Sequence, residues 1–250
     1  MSSLTEQITQ YWDERAKGYS LRTSDELTSS KKDSCQRLLK KALVDLPDPT
    51  VLDIGCGAGA MSLMAAELGF KVTGTDASHE MLSQAQSNAQ ALGLSALFLT
   101  GSAEKPEFDD HSFSAVISRN VLWNLSEPEA ALREYLRILK PGGTLFYIDG
   151  NHYRYLIDPE YALWRRNAPV PYGHQSKFLQ NVNTGKMEAI AAKLPLTGEL
   201  RPQWDQKVLD LIGFEDIRME ILEKITLSPG PHALISEFTI TAKKHIGGVK

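Results

Sequence analysis

Between residues 35 and 149, short apolar runs suited to β-strands alternate with helical stretches. Strands joined by helices predict a parallel sheet covered on both faces, because parallel neighbours need a crossover connection and such crossovers are right-handed in nearly all cases. The runs are 51–55 (VLDIG), 71–76 (KVTGTD), 96–100 (ALFLT), 113–118 (FSAVIS) and 144–149 (TLFYID). The segments between them carry helix signals. CQRLLKKALVDL (35–46) has amphipathic spacing and is expected to end at Pro47 and Pro49; residues 60–68 stop at Gly69; a helix capped by Ser78 runs to Leu92 and closes on Gly93. Ser126 and Glu129, with Pro128 in the first turn, read as a capping box for a helix that Lys140-Pro141-Gly142-Gly143 breaks.

Beyond residue 149 the alternation fails. Residues 150–206 have weak periodicity, and 207–211 look helical. Segments 217–227 and 234–244 alternate apolar and polar residues around Ser228-Pro229-Gly230-Pro231, a hairpin that would end the sheet with one antiparallel strand. With 250 residues, 42% hydrophobic and 23% charged, the chain has material for one large α/β domain, and disordered, collagenous and disulfide-stapled classes are excluded. Its 27 basic and 31 acidic side chains give a net charge of -4 without a basic cluster, so no nucleic-acid partner is expected. No window approaches the roughly 18 apolar residues of a membrane span, and MSSLTEQITQ lacks the basic and apolar regions of a signal peptide. The cysteines, Cys35 and Cys56, read as reduced thiols, which predicts a cytoplasmic protein. The histidines lack metal-ligand spacing, so no metal is expected.

The segment VLDIGCGAGAMSLMAAELG is a strand running through a glycine turn into a helix. Glycines at 55, 57 and 59 permit positive φ and let a ligand touch the backbone, beside the free N–H groups of a helix start. By itself the turn is ambiguous, because Gly55-x-Gly57-x-x-Ala60 also satisfies the dinucleotide fingerprint. Asp53, two positions before Gly55, would repel a pyrophosphate and attract an ammonium; Asp76, ending the next strand, can accept from both hydroxyls of a ribose.

DIGCGAG, then TGTD, then LKPGG before a strand resembles the class I S-adenosylmethionine-dependent methyltransferases, and is most similar to the small-molecule type 11 or ubiquinone/menaquinone-methyltransferase-like group. The likeness covers roughly residues 8–149. It implies a Rossmann-like, doubly wound, seven-stranded and mostly parallel sheet with an antiparallel last strand, in a single domain over 1–250. It also implies S-adenosylmethionine as cofactor. Asp53 would bind its amino group, and Gly55 and Gly57 would approach its methionine part. Asp76 would hold the ribose, Ala77 and Met81 would cover the adenine, and Arg119 and Asn120 would lie near the methyl donor. Ser102 stands where the family often has an aspartate for the adenine amino group, so backbone groups of Ser102 and Ala103 would substitute. YWDERAKGYS resembles the family's entry helix and gives Tyr11, Trp12 and Tyr19 a role in a lid over residues 1–30.

The stretch 150–206, with its aromatic residues Tyr153, Tyr155, Tyr161, Trp164, Tyr172, Phe178 and Trp204, reads as a cap over an acceptor site. His152, Arg154, Arg165, Arg166 and His174 within it suit a small anionic or aromatic acceptor, with His152 and His174 as candidate bases. Trp123 is expected to pack, and Cys56 is not expected to be a nucleophile. Two alternatives stand beside methyl transfer: a nicotinamide oxidoreductase, although no Tyr-x-x-x-Lys pair is present, and a non-catalytic adenosyl-binding module.

Overall fold

The structure, a computed structural model, describes residues 2–226 and 233–247. It opens with two helices, α1 (Leu4–Leu27) and α2 (Ser30–Ala42), and then alternates β1 (Thr50–Ile54), α3 (Ala60–Glu67), β2 (Lys71–Asp76), α4 (His79–Leu92), β3 (Leu97–Thr100), β4 (Phe113–Arg119), α5 (Pro128–Ile138) and β5 (Leu139–Gly150). Short helices α6 (Pro159–Asn167), α7 (Ser176–Leu179), α8 (Gly185–Ala191) and α9 (Pro195–Gly198) lead into α10 (Gln203–Ile212), β6 (Phe214–Thr226) and β7 (Ala233–Lys244). The strand order is β3-β2-β1-β4-β5-β7-β6. β1 to β5 run parallel, and β7 is antiparallel to both of its neighbours.

Two apolar layers sandwich the sheet because successive side chains of a strand point to opposite faces. Leu52, Ile54, Val116, Leu145 and Tyr147 meet α5 and α10 on one face. Val51, Ala115, Ile117, Phe146 and Ile148 meet α2, α3 and α4 on the other. Burying each large aliphatic side chain contributes about 1.5–3 kcal/mol, so the period-two pattern of β4 and β5 pins their register. The strand order reverses between β1 and β4, and this switch point opens a crevice at the carboxyl ends of the strands.

Several boundaries differ from the sequence reading. α2 starts at Ser30 and ends at Ala42, short of Pro47, because Leu43 turns into the core beside Leu39. The Lys140-Pro141-Gly142-Gly143 stretch lies inside β5 rather than before it: Leu139 already pairs with Phe113, and an irregularity between Phe113 and Ala115 absorbs the extra residues. The weakly periodic 150–206 stretch is mostly short helices, and α10 begins at Gln203, four residues early. Residues 228–231 lie outside the described residues.

The predicted capping box on α5 is absent. Its N-cap is Glu127 with no side-chain cap bond. Instead Glu104, from the loop after β3, accepts the backbone N–H groups of Ser126 (2.6 Å) and Glu127 (3.0 Å) and the Ser126 hydroxyl (2.8 Å). A carboxylate there also opposes the positive end of the helix dipole. Glu104→Ala is expected to lower unfolding stability by about 1–2 kcal/mol, the usual cost of a lost cap, whereas Glu129→Ala should change it by less than about 0.5 kcal/mol; urea unfolding of the two variants checks the difference.

Candidate active site

The glycine turn after β1 is built so that a ligand meets backbone. Gly55 has φ +64°, and a Cβ there would lie 2.6 Å from Val121 Cγ2; Gly57 has φ +54°, with Tyr19 Cε1 3.4 Å from the same imaginary atom. Around this turn lies a cavity of about 440 Å³. Trp12, Tyr19, Asp53, Gly55, Gly57, Asp76, Ala77, Met81, Ser102, Ala103, Arg119 and Asn120 all line it.

Its electrostatics are acidic. Asp53 on β1 is 1% exposed and accepts the Ser62 hydroxyl at 2.6 Å; burial pushes its carboxyl up to about 7. Asp76 accepts the N–H groups of Gly57 (2.8 Å) and Ser78 (2.9 Å). Burial raises its pKa more than these bonds lower it. Glu104 and Glu107 add two further carboxylates to the wall, against Lys105 and Arg119. Arg119 is bound to the buried Glu26 of α1, with Nη2 3.0 Å from Oε2, so its charge is already compensated. Burial works against the Glu26 charge, and Arg119 outweighs it and holds that carboxyl below its ordinary value.

α1 roofs the cavity. Trp12 and Tyr19 pack with Ala16 against Ala58 and Met81, and Asp13 accepts the Ser78 hydroxyl at 2.5 Å, tying the helix to the start of α4. The lining residues Thr5, Ile8 and Thr9 were not anticipated. Stepping back from Tyr19 and Trp12 by three or four positions reaches Ile8 and Thr5, so helical periodicity was the available signal.

Asn120 sits at φ +58°, an uncommon conformation for a residue other than glycine. Its N–H donates to Ile148 O at 2.8 Å, and its Oδ1 is 3.0 Å from His152 Nε2. His152 therefore touches a lining residue without lining the cavity. Two other candidates lie elsewhere. Tyr11 is buried in a cluster with Trp123, Met187, Ile190 and Leu194. His174 stands apart from the cavity; burial, with Arg165 and Arg15 nearby, pushes it down to about 4. Ser102, which lines the cavity, accepts the N–H groups of Glu104 and Lys105 on its Oγ at 3.2 and 3.4 Å. Trp123 packs against His152 and Tyr153 with ring centroids 5.6 and 4.9 Å apart. The Cys56 thiol lines the cavity, and burial raises it well above its ordinary value, so it stays protonated.

Residues 52–147 match the family model described as a methyltransferase domain. The chain is 32% identical over 147 residues to a demethylmenaquinone methyltransferase of Renibacterium salmoninarum, covering 59% of this chain and 60% of that protein. It is 37% identical over 98 residues to a ubiquinone biosynthesis O-methyltransferase of Caulobacter vibrioides, covering 39% of each. The chain thus spans well under the full length of the curated relatives it matches, from 31% to 65%. Among solved structures, the CurJ carbon methyltransferase superposes with TM-score 0.60 at 19% identity, covering 89% of this chain and 57% of that one. A phosphoethanolamine N-methyltransferase 2 of Haemonchus contortus, in complex with phosphomonomethylethanolamine and S-adenosylhomocysteine, gives TM-score 0.58 at 16% identity, covering 85% and 52%. At such identities the superpositions concern the fold, and they agree with the sheet order described above. Over residues 52–147 the chain is thus similar to the methyltransferase-domain family, and the relatives it resembles are methyltransferases.

Proposed function

We propose that this chain transfers a methyl group from S-adenosylmethionine to a small-molecule acceptor, by in-line displacement and mainly through positioning. The observation that carries the reading is the acidic cavity at the switch point, with Asp53 below the glycine turn and Asp76 at the end of β2. The residues present fit the cofactor. Asp53 is a buried carboxylate without a cationic partner on β1, suited to an ammonium; Asp76 retains acceptor capacity for ribose hydroxyls beyond its two backbone bonds. Gly55 and Gly57 admit the methionine part, Ala77 and Met81 flank the adenine, and backbone groups of Ser102 and Ala103 face its edge. Bound there, the cofactor supplies an electrophilic methyl carbon on a positively charged sulfur.

This chain's own residues then align and shield. The faces of Trp12 and Tyr19 exclude water and attract a cation, worth roughly 0.5–2 kcal/mol, and holding the reactants in line supplies about 7–11 kcal/mol in favourable cases. In this reading residues 1–30 act as a lid and 150–206 as the cap over the acceptor, with His152 as the base. Arg165 and the aromatic cluster of Trp123, Tyr153 and Tyr155 favour an aromatic or anionic acceptor. Asp53 works against the nicotinamide alternative, because a dinucleotide would set its pyrophosphate beside it, and a cavity that leaves an acceptor room above Gly57 and Asn120 works against a non-catalytic module. The net charge of -4 argues against nucleic acid as acceptor. No described helix is long and apolar enough to cross a membrane, and the reduced thiols support a cytoplasmic setting.

Titration calorimetry with S-adenosylhomocysteine and with NADH tests the reading. One-to-one binding of adenosylhomocysteine, absent for NADH, is expected, and S-adenosylmethionine, which carries the charged sulfur, should bind about three- to thirtyfold more weakly to Trp12→Ala and Tyr19→Ala than to the wild type. Binding of NADH alone, or of neither ligand, would overturn it.

A further inference from the structure

The attachments of α1 are unequal along its length. Toward the cavity, Asp13 accepts the Ser78 hydroxyl at 2.5 Å, the Ser20 hydroxyl donates to Asn88 Oδ1 at 3.3 Å, and Glu26 Oε2 lies 3.0 Å from Arg119 Nη2. Toward the cap, Arg15, 4% exposed, donates to Phe178 O at 2.6 Å and to Gly173 O at 3.2 Å. Gly18 sits so close to that turn that a Cβ on it would lie 2.1 Å from Phe178 O. The Tyr172 hydroxyl donates to Asp25, and Lys31 Nζ stands 3.6 Å from the centroid of the same ring. Lifting this part of the helix would take from Arg119 the carboxylate that compensates it and from Arg15 both of its acceptors, which is costly for groups so little exposed. Residues 13–27 are therefore a fixed wall between the cavity and the cap.

The first two turns lack such bolts. Among the described residues, the Thr5 and Ser126 hydroxyls, 3.4 Å apart, make the only hydrogen bond from residues 4–10 to the rest of the fold. Leu4 and Ile8 add partly buried apolar contact with the cluster around Tyr11 and Trp123. The remaining side-chain bonds are internal: the Ser3 N–H donates to Glu6 Oε2 (2.7 Å), the Glu6 N–H to Ser3 Oγ (3.1 Å), and the Thr9 hydroxyl to Thr5 O (3.1 Å). A capping box of its own lets this piece stay helical when it parts from its neighbours. Thr5, Ile8 and Thr9 line the cavity together with Asn124 and Leu125, so that parting opens it.

We propose that residues 4–10 are the gate of the cofactor cavity, swinging away from residues 124–126 about a pivot at Tyr11, while residues 13–27 stay fixed to the cap. This rests on the methyltransferase reading, which makes the cavity the cofactor's site and residues 1–30 a lid. Tyr11, 4% exposed in its apolar cluster, is the first residue that the swing leaves in place. The lid is divided: two turns move, and the aromatic roof of Trp12 and Tyr19 does not. Local opening costs least where buried contacts are fewest, and along α1 that is its beginning. The division has a functional consequence. Spent cofactor leaves and fresh cofactor enters without dismantling the cap, because the contacts of Arg15, Gly18 and Asp25 with residues 172–180 stay closed.

Two measurements on the full chain test this. In the first, Thr5→Cys is combined with Ser126→Cys, whose side chains stand close enough for a disulfide, while the natural cysteines are buried. Stopped-flow binding of adenosylhomocysteine, read by tryptophan fluorescence, is expected to show association and dissociation both slowed about tenfold or more in the oxidised form relative to the same variant reduced. Ser20→Cys with Asn88→Cys ties down the part already fixed, so oxidation should change its rates by less than about twofold. Unchanged rates in the first pair, or equal slowing in the second, overturn the gate. The second measurement is hydrogen exchange of the wild type and needs no disulfide. Without ligand, amides of residues 7–10 should exchange about tenfold or more faster than those of 16–26. Adenosylhomocysteine should slow the first group and leave residues 172–180 unchanged. Uniform exchange along α1, or a cap that loosens and tightens with the ligand, overturns the proposal. Failure of adenosylhomocysteine to bind the wild type would instead strike the methyltransferase reading, so the two failures are distinguishable.

Discussion

Replacing Asp53 by Asn is expected to make the free protein more stable above about pH 7 and to weaken adenosylhomocysteine binding about a hundredfold. The carboxyl is 1% exposed, and burial raises it from 3.8 to about 7. A group raised on folding contributes stability that is fully present below its unfolded value and lost as pH rises through its folded value, here the window from about 4 to about 7. The loss is on the order of 4 kcal/mol at neutral pH and above. Asn keeps the hydrogen bond from Ser62 and has no charge to strand, so its melting temperature above pH 7 should exceed the wild type's by several degrees. Binding moves the other way. A ligand ammonium pairs with the ionised carboxylate, and truncating one partner of a buried charge pair costs about 2–5 kcal/mol. Wild-type affinity should therefore fall about tenfold per pH unit below about 7, and the variant's affinity should be nearly flat over that range. Thermal scans and calorimetry between about pH 5 and 9 check both arms; equal affinities for the two proteins would remove Asp53 from the ammonium site.

Arg201→Met is expected to lower unfolding stability by about 3–5 kcal/mol without disturbing the cofactor cavity. Arg201 is fully buried. Its Nε donates to Asp205 Oδ2 at 2.9 Å, its Nη1 lies 3.0 Å from Asp149 Oδ2, and its backbone is clasped by the Asn151 amide. Tyr147 donates to Asp205 at 2.8 Å. Burial opposes the guanidinium charge, and Asp149 with Asp205 more than restores it, raising its pKa. Methionine fills similar space but leaves two buried carboxylates uncompensated, the situation that makes breaking a buried pair costly. Denaturant unfolding should show a lower midpoint at unchanged slope, and adenosylhomocysteine affinity should stay within about twofold. A midpoint equal to the wild type's would mean that the network contributes nothing net.

How legible each part was depends on the sequence distance over which it is encoded. The strands β1 to β5, the Ser78 cap and the Gly93 stop were readable because hydrophobic period and cap chemistry act over a few residues. Asp53, Gly55, Gly57 and Asp76 were readable because a single strand-turn-helix-strand unit carries them. Glu104 capping α5 was missed: the pair is 22 residues apart, and a local Ser126–Glu129 pattern offered a competing explanation. The 150–206 stretch was hard to read because its helices are one or two turns long and pack around aromatic side chains, which blurs the period.

The order of residues alone determined the alternation of strand and helix and the placing of glycines and carboxylates at one turn, since those follow from backbone sterics and local hydrogen bonding. Only the tertiary structure decided that α1 roofs the cavity while Tyr11 turns away from it, that Asn120 meets His152, and that Arg201 sits between Asp149 and Asp205. The polar arrangements join segments 32 and 52 residues apart along the chain, and they exist because charges taken out of water must find partners wherever the packed sheet and helices bring them within reach.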